Sequence, residues 1–214
     1  MTPALQSQAT SALCRLAPVI PVLVIEDIAH AIPLARALVA GGLPVLEVTL
    51  RTDCAIDAIA AMATVSGARV GAGTVLDAHD AARAKTAGAE FAVSPGAAPG
   101  LIAACAALEL PLLPGAVTAT EVMTLFEQGY RMLKFFPAGP AGGAPMLKAL
   151  NGPLPKITFC PTGGVSLGNA TEYLSLNNVA CVGGSWVAPT KLMADGDWKA
   201  ITTLAQQAAA LPRG

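Results

Sequence analysis

Lys134 interrupts an otherwise apolar run, Met132-Leu133-Lys134-Phe135-Phe136-Pro137. Alternation along a strand puts Met132, Lys134 and Phe136 on one face, with Leu133 and Phe135 on the other. If helices cover the Leu133/Phe135 face, the amine points into the interior of the sheet. Burying an ammonium is costly, which favours the neutral amine. A neutral amine is the nucleophile that forms a Schiff base with a ketone. The strand alone leaves open a structural lysine paired with an interior carboxylate.

A carboxylate of that kind is at hand in Val45-Leu46-Glu47-Val48-Thr49-Leu50-Arg51. Residues 45, 47, 49 and 51 share a face, so a carboxylate, a hydroxyl and a guanidinium line one side. Arg51 falls at the rim, where its fork suits bidentate grip of a substrate carboxylate. Glu47 lies deeper and suits acid–base work beside Lys134. The bland alternative is a buried Glu47–Lys134 or Glu47–Arg51 pair with no catalytic part. No histidine stands at a strand end: His30 and His79 both read as helix or surface residues without a role.

Two glycine pairs, Thr162-Gly163-Gly164-Val165 and Gly183-Gly184-Ser185, offer backbone N–H groups that can approach a phosphate closely. One such pair is usually only a turn, but two at successive strand ends point to an anion site. Thr74 and Pro95 end two further apolar segments and, taken singly, read as turn residues.

These side chains need a scaffold that aims them at one place. Eight short apolar segments read as strands: 20–25, 44–50, 69–75, 90–96, 111–117, 132–138, 157–165 and 179–185. Ala/Leu-rich stretches with helical spacing separate them. In 27–40, the residues Ile28, Ile32, Ala35, Leu38 and Val39 are expected on one apolar face. Asp53, Asp77 and Thr118 suit helix N-caps, and Gly41-Gly42, Gly88 and Gly129 suit helix ends. Strands apolar on both faces demand a parallel sheet covered by helices. The pattern predicts an α/β chain forming one domain over residues 1–214, a (β/α)8 TIM barrel with an extra N-terminal helix over 1–16. An open doubly wound sheet is the alternative, but its usual Gly-rich turn is missing after the first strand, which ends Val24-Ile25-Glu26-Asp27. In a barrel of this kind the active site lies at the C-terminal strand ends, where phosphate sites follow the last two strands.

Composition narrows the partners. The chain is 54% hydrophobic yet only 4% aromatic, and Gly, Pro and polar residues break every long uncharged run before it could span a bilayer. Five scattered cysteines without a C-x-x-C pair argue against a disulfide framework or zinc site and for a reducing, cytoplasmic setting. No signal-peptide pattern opens the chain. A net charge of −1 without a basic cluster argues against nucleic acid. A small-molecule substrate remains.

Taken in order, Glu47-Val48-Thr49-Leu50-Arg51-Thr52, Gly71-Ala72-Gly73-Thr74-Val75, Ser94-Pro95-Gly96, Lys134-Phe135-Phe136-Pro137-Ala138, Cys160-Pro161-Thr162-Gly163-Gly164 and Gly183-Gly184-Ser185-Trp186 closely resemble the bacterial 2-keto-3-deoxy-6-phosphogluconate (KDPG) / 4-hydroxy-2-oxoglutarate (KHG) aldolase family. The likeness runs from about Cys14 to the last helix. It implies a class I aldolase of the Entner–Doudoroff pathway, a lyase without metal or other cofactor, assembled as a homotrimer. It also implies Lys134 as the Schiff-base lysine and Glu47 as the acid/base, acting through a water. Arg51 and Thr74 would hold the pyruvate carboxylate, and Pro95 and Phe136 would pack around the pyruvyl unit. Thr162 would lie in the same pocket, while Gly163, Gly164, Gly184 and Ser185 would face the phosphate. Relatives often carry an acidic residue where this chain has Gly139-Pro140, which leaves the conformation of 139–145 open. The rival readings are a phosphosugar isomerase or epimerase on the same barrel and a non-catalytic phosphometabolite-binding barrel.

Overall fold

The computed structural model spans residues 1–214. Helix α1 (Pro3–Cys14) precedes eight strand–helix units. The strands are β1 (Val19–Leu23), β2 (Val45–Thr49), β3 (Arg69–Gly73), β4 (Phe91–Val93), β5 (Leu112–Leu113), β6 (Met132–Phe135), β7 (Thr158–Pro161) and β8 (Val182–Gly184). The helices after them are α2 (Ala31–Ala40), α3 (Ala55–Met62), α4 (Ala78–Thr86), α5 (Pro99–Ala107), α6 (Ala119–Gln128), α7 (Gly143–Asn151), α8 (Ala170–Leu174), α9 (Thr190–Ala194) and α10 (Trp198–Ala209). Every expected strand is present, each paired over fewer residues than its apolar run.

All pairings are parallel. Six strands form one curled sheet in the order β5-β4-β3-β2-β1-β8, and β6 pairs with β7 in a second. Single bridges span the two seams, Gly115 to Lys134 on one side and Phe159 to Val179 and Thr162 to Gly183 on the other. The expectation of eight continuously paired strands is therefore met in part.

The alternation expected from sequence sorts two apolar layers. Leu46, Val48, Leu133 and Phe135 join the large core beneath the helices, whereas Val45, Phe91, Val93, Met132 and Cys160 form a smaller one on the inner face. Leu13 and Cys14 of α1 join that inner group. The same helix buries two polar residues with a purpose: Gln6 Oε1 accepts from Leu112 N at 3.1 Å and from the Tyr130 hydroxyl at 2.9 Å. Ser7 Oγ accepts from Arg131 N and Met132 N, both at 2.8 Å. These bonds satisfy backbone donors at the entry to β5 and β6, where the ladder between the two sheets is thin. They fix the strand that carries Lys134.

Asp77 and Thr118 cap α4 and α6 as expected, and Gly42, Gly88 and Gly129 take left-handed φ at helix ends. Asp53 does not cap α3. The helix begins after Cys54, because Thr52 Oγ1 and Cys54 Sγ both turn back to Ile25 O, at 2.6 and 3.1 Å. The 27–40 segment also differs from expectation. Asp27 caps a 3-10 turn over Ile28–His30, and α2 then buries Ala31, Leu34, Ala35, Ala37 and Leu38. Ile28 is left exposed and Ile32 and Val39 half-buried, because the tighter first turn rotates the face away from them.

Candidate active site

Glu47 from β2 and Lys134 from β6 reach each other across the inner face, with Nζ 3.1 Å from Oε1. Both are almost completely buried, at 3% and 4% exposure. The contact is direct, the Glu47–Lys134 pair that the sequence left open beside a Glu47–Arg51 pair. Lys134 is fixed by its backbone, which donates to Pro114 O and accepts from Ala116 N, each at 2.9 Å. Gly73 at the end of β3 makes room for the carboxylate: a Cβ there would overlap Glu47 Oε1. Two buried charges this close are stable only as a pair, so removing either strands the other.

Arg51 sits just past β2, exposed at the rim, and its Nε donates to Thr74 Oγ1 at 3.2 Å. Thr74 holds a φ of 58°. A β-branched residue seldom adopts that left-handed conformation, and such strain gathers where a side chain must be aimed. Thr49, assigned by alternation to the Glu47 face, donates its hydroxyl to Leu23 O at 2.8 Å and closes the β1–β2 seam.

Phe136 leaves the end of β6 with its ring centroid 5.3 Å from Lys134 Nζ, close enough for a cation–π contact. Pro95 is half-buried beyond β4. Thr162, buried, follows β7 and lies against Gly183. One step below, Cys160 is the register partner of Lys134. The neighbouring Cys14 and Cys181 thiols hold the Cys160 thiol well below its ordinary value, and the Lys134 charge adds to this. The Cys160 neighbour and burial push Cys14 up, and the Cys14 and Cys160 neighbours together with burial push Cys181 up.

The glycine turns converge as well. The Thr162–Gly183 bridge joins the ends of β7 and β8, so the 163–165 and 185–187 segments leave side by side. In both segments the backbone N–H groups have no acceptor within the protein. Gly163 and Gly164 have φ of 92° and 78°, open to glycine without strain. Gly184 is buried against the Trp186 ring, whereas Ser185 is exposed. Free donors at two adjoining strand ends suit a tetrahedral anion.

The side chains that can share a metal ion are Asp77, His79 and Asp80 at the start of α4, a group that includes neither Lys134 nor Glu47. No helix is long and apolar enough to cross a membrane. Residues 10–204 match the model of the KDPG and KHG aldolase family. The chain belongs to this family. Among its KDPG/KHG aldolase relatives is the 2-dehydro-3-deoxy-phosphogluconate aldolase of Pseudoalteromonas atlantica, 53% identical over 90% of both chains. The KDPG aldolase of Zymomonas mobilis, solved with 3-phosphoglycerate, superposes with a TM-score of 0.92 at 49% identity, covering 97% of this chain and 98% of the other. That of Legionella pneumophila, solved with pyruvate captured as a covalent carbinolamine, gives 0.91 at 46%, covering 94% and 98%.

In this KDPG/KHG aldolase-family chain, sequence reasoning passed over three contributors. Gly73 is the first: a glycine one residue before Thr74 on an apolar strand signals a close approach, here that of Glu47. Trp186, whose indole N–H has no acceptor, closes the back of Gly184. Asn169 at the start of α8 gave no signal, since an Asn before a short helix reads as an ordinary cap. The 139–145 segment, left open from sequence, continues the turn after β6 to Gly142 and then begins α7.

Proposed function

We propose that this chain is a class I aldolase that reversibly cleaves 2-dehydro-3-deoxy-6-phosphogluconate to pyruvate and glyceraldehyde 3-phosphate through a Schiff base on Lys134. It also accepts 4-hydroxy-2-oxoglutarate, giving pyruvate and glyoxylate. The observation that carries the reading is the buried Lys134–Glu47 contact of 3.1 Å in a member of the KDPG/KHG family. The pyruvate carbinolamine of the Legionella relative supports the same chemistry here.

The reaction starts by proton transfer across that contact, which leaves a neutral amine and a protonated Glu47. The amine attacks C2 of the keto acid, and Glu47 hands its proton to the new alkoxide. Glu47 then takes a proton from nitrogen and returns it to the C2 hydroxyl, which departs as water from the iminium. The carboxylate next removes the C4 hydroxyl proton. The C3–C4 bond breaks, its electrons fall into the iminium, and the aldehyde leaves an enamine. Glu47 protonates C3, and hydrolysis frees pyruvate. The iminium supplies the electron sink, so no metal or other cofactor enters a step.

Arg51 and Thr74 grip the pyruvate carboxylate, and Phe136 and Pro95 flank the pyruvyl unit beside Thr162. Gly163, Gly164, Gly184 and Ser185 receive the phosphate. The scaffold is one domain, read as a closed (β/α)8 barrel whose seams are the bridges at Gly115 and Thr162, and it works in the cytoplasm as a homotrimer. Borohydride reduction in the presence of pyruvate, followed by peptide mass mapping, tests the proposal. The adduct is expected on Lys134 and is expected to form equally after EDTA treatment. A label elsewhere, or recovery that needs added metal, rejects it.

A further inference from the structure

The turn that carries Gly163 and Gly164 is gripped by one amide. Asn169 Nδ2 donates to Gly164 O at 3.0 Å, while its Oδ1 accepts from Ser166 N at 2.8 Å. From the other side, Gly139 N donates to Gly163 O and Ala138 N to Thr162 O, both at 2.8 Å. The carbonyls of 162, 163 and 164 are therefore all engaged. In a trans peptide the C=O and the N–H of the next residue point in opposite directions. Holding the Thr162, Gly163 and Gly164 carbonyls thus directs the N–H groups of Gly163, Gly164 and Val165 away from those holders. These are the donors left without an acceptor in the protein. Two of the three holders are backbone amides of the turn after β6. The third is the Asn169 side chain, which alone fixes the Val165 N–H.

We propose that Asn169 is a positioning residue for recognition of the phosphate arm, acting through the Gly164–Val165 peptide without touching substrate. The proposal rests on the reading that this turn receives the phosphate. Its signature is selective: phosphate binding depends on Asn169, whereas Schiff-base chemistry at Lys134 does not. Alanine removes both side-chain bonds. Asp keeps the acceptor for Ser166 N but loses the donor and sets a carboxylate oxygen against Gly164 O.

The experiment compares wild type, Asn169→Ala and Asn169→Asp on the 6-phosphorylated substrate and on the same keto-deoxy sugar acid without its phosphate, together with borohydride-trapped pyruvate. Asn169→Ala should raise KM for the phosphorylated substrate about tenfold, with kcat held within about twofold. Turnover of the unphosphorylated acid and pyruvate trapping should be unchanged. Asn169→Asp should raise that KM further, because its carboxylate repels Gly164 O and turns the Gly164–Val165 peptide out of place. Equal loss on both substrates, or weaker pyruvate trapping, would mean a merely structural role and overturns the proposal. Unchanged KM values in both variants, with wild type still preferring the phosphorylated substrate, overturn it while leaving the phosphate site intact. A wild type that shows no preference for phosphate removes the underlying reading and the proposal with it.

Discussion

Lys134 Nζ and Glu47 Oε1 lie 3.1 Å apart on strands that are not neighbours, with side-chain exposures of 5% and 4%. A pair so enclosed is screened from water on every side. In the proposed mechanism one proton transfer between them creates both the nucleophile and its base.

Glu47→Gln keeps the shape and a hydrogen-bond partner for the amine but cannot take its proton. Turnover should fall about 10²–10⁴-fold, the usual range for losing a positioned acid–base group. The reduced pyruvate adduct should still form on Lys134, more slowly. Rapid-quench mass analysis of adduct growth checks this. Turnover equal to wild type would remove Glu47 from the mechanism.

Lys134→Ala should abolish turnover and adduct together. It should also cost about 3–5 kcal/mol of stability, because a buried carboxylate is left without its partner. Denaturant melts of Lys134→Ala and of Lys134→Met/Glu47→Leu separate the two effects. The double variant, with both charges replaced by apolar groups, should recover most of the lost stability and none of the activity.

Gly73→Ala tests the approach of β3 to the carboxylate. Its Cβ would overlap Glu47 Oε1, so Glu47 must turn aside from Lys134. The expected result is a kcat lowered about tenfold or more, with a smaller change in pyruvate KM, since a displacement of about 1 Å at a catalytic group can cost about 10²-fold. Steady-state kinetics decide it, and unaltered kcat would show that Glu47 adjusts without loss.

How far the sequence carried the argument depends on which residues are considered. Lys134 and Glu47 were legible because a charge inside an apolar strand must face something, and alternation gave its side. The choice between a Lys134 and an Arg51 partner for Glu47 was not, since strands apart in the chain do not announce which meet across an interior. Thr49 shows what alternation leaves out. It shares the Glu47 face, yet its hydroxyl is spent on Leu23 O, a demand set by the β1–β2 seam that no local pattern reveals. The α2 face shifted because Ile28–His30 wound as a tighter turn, a choice made by the Asp27 cap and not by apolar spacing. Asn169 and the carbonyls it and the β6 turn restrain were invisible, because they join segments through tertiary packing alone.

Thr74 carries strain that can be measured. At a φ of 58° a β-branched residue stores about 1–3 kcal/mol, which glycine releases at an entropic cost of about 0.5–1 kcal/mol. Thr74→Gly should therefore leave the protein as stable as wild type or more so, by up to about 2 kcal/mol. It should also weaken pyruvate binding, because the Arg51 Nε bond at 3.2 Å is lost. Arg51→Ala should weaken pyruvate binding as well, with no gain in stability. Parallel thermal melts and pyruvate titrations distinguish the two variants. A destabilised Thr74→Gly with unchanged pyruvate affinity would show that the conformation serves folding alone.

Glu121 gives the fold a pH dependence separate from catalysis. Backbone N–H groups of Thr118 and Val117 hold its carboxyl below the ordinary value, at 2.8 and 2.9 Å, and so pin the start of α6 to the segment that follows Gly115. A carboxyl held low in the folded state binds fewer protons there than in the unfolded chain. Its stabilisation is thus complete above the ordinary glutamate value of about 4.3 and disappears as pH falls through the lowered one. Glu121→Gln removes this titrating part. Melting temperatures from about pH 7 to about pH 3 should show the variant below wild type at neutral pH, the two curves converging in acid. Pyruvate trapping on Lys134 should be the same in both at neutral pH, because Glu121 holds a helix start and not the reacting amine. A constant gap across the whole range would mean that the cap contributes through shape and not through charge.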